Sequence, residues 1–514
     1  MELELAGEGL TLHLAGEILA GRVRRVVLGS AARKRVQKSR RCLEALLQGG
    51  ATIYGVNTGF GKLAHARIGA HEILDLQENL LRSHAVGLGP HLDAGISRLA
   101  LVLRIQALAK GYSGVTLELL DHLVELFNRG VVPAIPELGS VGASGDLAPL
   151  AHLGLVVIGE GRVLVGRGDS PLRPAATGPV LKRLGLEPYR LQAKEGLSLI
   201  NGTQISTALL ADAAVQAQHL ARIADVAGSL TVEATKSSQK PFDERIGAVR
   251  PHPGQQASAA NLRRLLAGSD IMASHADCNK VQDAYSLRCM PQVHGTFRDA
   301  LAHVTRTVEC EMNAATDNPL VFADDGEILS GGNFHGQAIA LAADLLAAAA
   351  ADLASISERR VENLVNPDLS GLPGFLTPRP GLNTGLMLVQ VLAASLVSEC
   401  KALAYPASVD SIPTSANRED HVSMSPAAAR KCRWILGHVE RVLACELLCA
   451  AQGLEFLQPL RAGRGAEAAY RLLRRHVRPL ERDRILHPDL ETVVQLIRDG
   501  SIRAAVARAC GSLD

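Results

Sequence analysis

The chain has 514 residues, with 54 Lys plus Arg against 52 Asp plus Glu and a net charge of +2. That balance removes the electrostatic footprint of a nucleic-acid binder or a polybasic membrane-surface protein. Apolar residues make up 47% but aromatics only 3%, so the core has to be built from Ala, Leu, Val and Ile, a mixture that favours closely packed helices. Cys42, Cys278, Cys289, Cys310, Cys400, Cys432, Cys445, Cys449 and Cys510 are odd in number and form no CxxC pair. Reduced thiols in a cytoplasmic protein are expected rather than a disulfide scaffold or a zinc module. Glu2 and Glu4 stand where a secretory signal would carry basic residues.

Up to about residue 67, short alternating stretches such as 3–14 (LELAGEGLTLHL) predict one or two small strands. Apolar residues at helical spacing predict helices over 97–110 and 114–128, and residues 133–149 are too rich in Pro and Gly to continue the pattern. A second irregular stretch, 159–179, precedes long helices predicted over 336–364, 386–404 and 427–452. The last has Ser425 as N-cap, Pro426 at the first helical position and Gly453 as its stop. Asp344, Asp352, Glu399, Lys401, Arg433 and Glu440 interrupt these apolar runs, and each charge costs about 2.5–3.5 kcal/mol at a bilayer centre. Buried bundle helices, not membrane spans, are expected. The sequence shows no internal repeat and no low-complexity tract beyond the alanines at 347–351.

Three familiar motifs nearly occur and fail. The stretch 55–62 (GVNTGFGK) has Val56 where a phosphate loop needs its first glycine pattern and Leu63 where Ser or Thr must hold magnesium. His71 and Glu72 are followed by Asp75 instead of a second zinc histidine. In 142–146 (GASGD) the second glycine arrives one residue too early for a nucleophile elbow. Residues 142–145 are nevertheless small enough for backbone to approach backbone, and Gly145, without a Cβ, leaves its nitrogen free to press on the Ala143 carbonyl carbon. Taken alone, this loop reads as a tight loop or an anion-binding nest rather than as a site of chemistry.

In the context 139–150 (GSVGASGDLAPL), the triplet Ala143, Ser144, Gly145 resembles the self-processing motif of the aromatic amino-acid lyase and aminomutase family. The resemblance extends through 54–61 (YGVNTGFG), 76–80 (LQENL), 83–87 (SHAVG), 201–204 (NGTQ), 281–289 (VQDAYSLRC), 331–335 (GGNFH) and 414–421 (TSANREDH). It implies a mostly α fold, a long helical bundle with a small mixed N-terminal region carrying short strands. Residues 1–112 would hold the Tyr54 and His84 blocks, and 113–514 the bundle, the processing loop and most other site residues. It also implies a methylidene-imidazolone (MIO) electrophile made from Ala143, Ser144 and Gly145 by loss of two waters, with no external cofactor and no metal. A homotetramer with active sites shared by three subunits, a small amino-acid substrate, and neither nucleic acid nor membrane as partner complete the implication.

The chemistry is ammonia elimination from an α-amino acid. An electrophile improves the amine as a leaving group, and a base takes the weakly acidic β proton. By resemblance, Tyr54 and Tyr285 are the catalytic tyrosines, with Tyr54 ranked first as base. A phenol with a reference pKa of about 10 needs positive charge or helix N-termini nearby to act as one; otherwise each is a core tyrosine with a bonded hydroxyl. Arg288 suits the substrate carboxylate through its planar fork. Asn201 and Gln282 resemble polar contacts and Phe334 a pocket wall, although structural roles fit these three as well. His84 and Glu419 match positions that address an imidazole ring, implying histidine as substrate and trans-urocanate as product; a phenyl ring would leave both unpaired. Arg418 departs from the family's usual Gln and could pair with Glu419. That leaves open a tyrosine or phenylalanine lyase or 2,3-aminomutase, and, from another class, a catalytically silent helical scaffold. Ala284 replaces a usual Pro, and His152, His294 and His335 read mainly as structural.

Overall fold

The computed structural model describes residues 1–69, 71–166, 171–278 and 280–514. The chain forms two compact units, each assembled from three segments: Met1–Val215, Thr305–Asp344 and Pro406–Arg430 in the first, and Gln216–Val304, Leu345–Tyr405 and Lys431–Asp514 in the second. The fold is mostly helical, as expected. Its four longest helices are Gln204–Ala234, Met290–Met312, Gln337–Val365 and Ser425–Glu455.

All strands among the described residues lie in the first unit, as four two-stranded pairs. Glu2–Leu5 pairs in parallel with Arg25–Leu28, so the N-terminal strands expected from alternation are present. The alternation does not persist to residue 14. Leu12–Leu19 is a helix capped by the Thr11 hydroxyl, and it buries Leu12, Ala15 and Ile18 at helical spacing. Helices Ala94–Ala109 and Leu117–Asn128 stand where predicted. The stretch 133–149 is only partly irregular. Pro136–Leu138 pairs with Leu88–His91, and Pro149 sits in the first turn of helix Leu147–Val157, where a missing N–H costs nothing. The irregular stretch expected at 159–179 contains a hairpin, Arg162–Val165 with Arg173–Ala176; its residues 167–170 lie outside the described residues.

In the second unit, the stop expected at Gly453 is not one. The helix continues to Glu455, and a Cβ on Gly453 would lie 3.0 Å from the Ala234 Cβ and 3.1 Å from a Leu372 methyl. This glycine serves close packing rather than termination. Of the interrupting charges, Glu440 pairs with Arg498 at 2.7 Å and Glu399 with His438 at 3.2 Å, while Asp352 and Lys401 are exposed. Gln337–Val365 is long and apolar enough to cross a membrane, but 67% of its apolar window is buried within the protein. Cys400, Cys432, Cys445 and Cys449 are buried and not disulfide-bonded, and they fill core space.

Candidate active site

The processing loop lies between strand Pro136–Leu138 and helix Leu147–Val157. Gly142 and Gly145 adopt left-handed φ of +69° and +74°, conformations that favour glycine. The loop is clamped from several sides. Ser423 Oγ donates to the Gly142 carbonyl at 2.8 Å, and Met424 N to Val141 O at 2.8 Å. Ala143 is buried against Val422 and Met424. Behind it, Gly145 forms a parallel bridge with Gly202, and Asp146 N donates to Gly202 O at 2.7 Å. A Cβ on Gly145 would lie 2.5 Å from the Gly202 carbonyl carbon, so only hydrogen fits.

Gly202 is pressed forward by a buried polar scaffold. Arg104 has no exposed surface and donates to the Asn201 carbonyl at 3.1 Å, to the Ser198 carbonyl at 2.8 Å and to Gln204. Burial brings its guanidinium down to about 10. Asp146 accepts from Ser206 N at 2.8 Å and Ser206 Oγ at 2.7 Å. Burial outweighs these donors and pushes its carboxyl up to about 6. Arg104 was not legible as a support, because it sits inside an otherwise apolar helix; the Asp directly after the triplet was the one available sign for Asp146.

Ser144 Oγ donates to Glu419 Oε1 at 2.6 Å, and Thr414 Oγ1 donates to Glu419 Oε2 at 2.6 Å. Both Glu419 oxygens are thus held by hydroxyls, while Arg418 is exposed. Thr414 bridges Glu419 through its backbone, closing a turn in which Ser415, Ala416 and Asn417 all take φ between +52° and +60°. Three successive left-handed residues without a glycine cost backbone energy, which the surrounding contacts have to sustain. This turn packs beside the Tyr54 loop, where a Cβ on Gly61 would lie 3.1 Å from Ser415 Oγ. Tyr54 OH accepts from Gly61 N at 3.0 Å, and its ring meets Phe60 edge to face.

His84, at the C-terminal end of helix Ile73–His84, is half-buried. Burial holds its imidazole below the ordinary range, against the opposing pull of the Glu419 carboxylate. His152 accepts from Gly87 N at 3.0 Å, and the His335 ring stacks on His421. Asn201 Nδ2 donates to the Ser144 carbonyl at 3.3 Å. Phe334 is half-buried in the same unit.

The remaining expected residues belong to the second unit. Tyr285–Arg288 is a single helical turn whose outward face carries Tyr285, 71% exposed. The Arg288 guanidinium lies over the Tyr285 ring at 4.6 Å. Ala284 holds φ −58°, the value a proline ring would impose. Gln282 and Arg288 line a cleft of about 590 Å³ together with Lys236, Lys240, His275 and Lys280. The first unit therefore gathers Tyr54, His84, the triplet, Asn201, Phe334 and Glu419, whereas Gln282, Tyr285 and Arg288 share a face of the second.

The loop fits an internal imidazolone. Glycines stand where any Cβ would block backbone approach, and the buried Asn201 Oδ1 has no hydrogen-bond partner, leaving an acceptor beside Ser144. Residues 10–475 match the aromatic amino acid lyase family. The chain is 54% identical over 516 aligned positions to a histidine ammonia-lyase from Sorangium cellulosum (strain So ce56), covering 98% of this chain and 99% of that one. It superposes on the crystal structure of histidine ammonia-lyase from Trypanosoma cruzi with TM-score 0.91 and 42% identity, covering 99% and 96% of the two chains. On a tyrosine aminomutase from Streptomyces globisporus the TM-score is 0.93 at 36% identity, with both chains fully covered. A processing loop on a helical scaffold defines a lyase of the MIO type; the chain belongs to the aromatic amino acid lyase family.

Proposed function

We propose that this chain is a histidine ammonia-lyase that eliminates ammonia from L-histidine to give trans-urocanate. The observation that carries the choice of substrate is the pairing of His84 with Glu419 beside the processing loop. Burial shifts His84 toward its neutral form, and with Nδ1 facing Ser83 Oγ at 3.0 Å, Nε2 is the ring nitrogen left for the substrate imidazole. Glu419, anchored by Thr414, supplies the carboxylate for the ring N–H, its other oxygen being released when the Ser144 hydroxyl that holds it leaves as water. A phenyl ring would leave these groups without partners, at about 1–3 kcal/mol for each buried group.

When formed from Ala143, Ser144 and Gly145, the MIO group supplies the electrophile that turns the substrate amine into a leaving group. Arg288 binds the substrate carboxylate through its fork, and Phe334 walls the ring pocket. Asn201 and Gln282 provide amide contacts. Tyr54 takes the β proton. Its oxygen already accepts from Gly61 N at 3.0 Å, which fixes the position of the hydroxyl. Tyr285, under the Arg288 cation, is the second catalytic tyrosine.

The family resemblance extends to a cytoplasmic homotetramer whose sites draw on three chains. The exposure of Tyr285 supports this, as does an uncovered stripe of Leu388, Val391 and Leu392 on helix Met387–Leu403, an apolar face suited to another copy. The tyrosine-mutase reading depended on Arg418 neutralising Glu419, and the exposed Arg418 gives it no support. Incubating purified protein with L-histidine, beside L-tyrosine and L-phenylalanine, is expected to give urocanate absorbance from histidine alone. Absence of urocanate from protein whose intact mass is two waters below the translated chain would overturn the assignment.

A further inference from the structure

Behind the exposed turn Tyr285–Arg288 lies a chain of buried charges that the reaction itself does not use. Arg360 and Glu446, both without exposed surface, form a two-pronged pair, Nε to Oε1 at 2.6 Å and Nη2 to Oε2 at 2.8 Å. Thr231 and Ser357 hydroxyls donate to the same carboxylate at 2.8 and 2.6 Å. Glu446 is thereby saturated and fixed. The remaining guanidinium nitrogen of Arg360, Nη1, reaches the Ser286 carbonyl at 3.4 Å and His294 Nε2 at 3.4 Å.

His294 is also buried, and its Nδ1 faces Asp225 at 2.8 Å. Since Arg360 can only donate, Nε2 accepts and the imidazole proton sits on Nδ1. Asp225 is held in turn by Ser258, Asn261 and Arg298. The other side of the turn is apolar: Leu287 and Met290 belong to a buried cluster with Val232, Phe242, Leu262 and Leu266. Gly228 leaves the space that the Met290 thioether occupies. Asn363 donates to Ser286 Oγ at 3.4 Å.

A bare ion pair would be an expensive way to fill a core, because burial of two charges is repaid only by very good geometry. Here the pair leaves one donor aimed at the carbonyl midway between Tyr285 and Arg288. We infer that Arg360, gripped by Glu446 and flanked by His294, is a positioning residue. It fixes the turn so that Tyr285 and Arg288 project together toward the substrate. The inference rests on the catalytic reading of those two residues given above.

Arg360→Lys tests it, because lysine keeps a charge for Glu446 but cannot reach two acceptors with a rigid fork. The variant is expected to carry the two-water mass loss and to keep its circular dichroism. Displacement of catalytic groups by about 1 Å can cost up to about a hundredfold, so kcat/KM for histidine should fall by about ten- to a hundredfold, shared between kcat and KM. In a Tyr285→Phe background the same change should lose distinctly less than it does alone, since the residue being aimed is already disabled. A lower unfolding temperature with unchanged kcat and KM, or full additivity with Tyr285→Phe together with an unchanged KM, would overturn the inference. If Arg360→Lys does not fold, Glu446→Gln, which preserves shape but releases the guanidinium, is read by the same criteria. Inactivity of the parent protein toward histidine would instead refute the proposed function, and it is measured first.

Discussion

Gly145→Ala perturbs the tightest approach in the processing loop. The added methyl would lie 2.5 Å from the Gly202 carbonyl carbon and 2.7 Å from its nitrogen, against an ordinary separation of about 3.5–4.0 Å. Relief requires the two backbones to part by roughly an ångström, which breaks the 2.7 Å bond from Asp146 N to Gly202 O. Alanine held at φ +74° costs about 1–2 kcal/mol, and an unmade buried hydrogen bond about 1–3 kcal/mol. The sum, about 2–5 kcal/mol, is below the 5–15 kcal/mol typical of a folded domain. The variant should therefore fold, with a lower unfolding midpoint, but lack the compression that brings its nitrogen onto the Ala143 carbonyl. Intact mass should equal that of the translated chain, and histidine turnover should be lost. A Gly145→Ala protein two waters lighter than translated, with an unaltered midpoint, would refute the compression argument.

Ser144→Ala should fold normally and turn over almost no histidine, since without the hydroxyl that leaves as water the Cβ cannot become the methylene; full activity in a steady-state urocanate assay would remove the electrophile from the mechanism. Glu419→Gln replaces a charge-assisted contact worth about 1.5–3 kcal/mol, so kcat/KM for histidine should fall by about ten- to a hundredfold, and an unchanged value would dissociate Glu419 from substrate recognition. Glu233 accepts from Ser269 Oγ at 2.7 Å and Gly463 N at 2.8 Å, and burial pushes its carboxyl from 4.5 up to about 7. Between those values the folded state holds a proton that the unfolded state has released, so this contribution falls as pH rises. Urea midpoints of the parent, taken relative to Glu233→Gln, should decline from pH 4.5 to 7; parallel curves would exclude Glu233 as the source.

Much of this molecule was legible because helices announce themselves by period. The buried positions 12, 15 and 18 show the limit: the same letters alternate as strand residues do over a short window, and only the Thr11 cap and tertiary burial decide. Gly453 failed for another reason, since a glycine that ends a helix and one that admits a neighbour look identical without the neighbour. At the site, the first-unit residues were recognisable from motif blocks. Their supports were not, because Arg104 is a charge hidden in an apolar stretch and Arg360 is one charge among several in 358–362 (ERRVE), and their partners lie about a hundred residues away for Gln204 and 86 for Glu446. The influence of Arg418 on Glu419 was open in sequence; Arg418 is exposed, and the Thr414 hydroxyl holds one oxygen of the carboxylate.

The clamp on residues 142–145 has a consequence for the order of synthesis. Its parts come from Ser140, from Gly202, and from Val422, Ser423 and Met424, so a nascent chain that has reached residue 400 possesses the triplet but not the vice around it. The ring can close only after the segment near residue 424 has left the ribosome and docked. Loss of the two waters is therefore a covalent record, written once per molecule, that the first unit has reached its native packing.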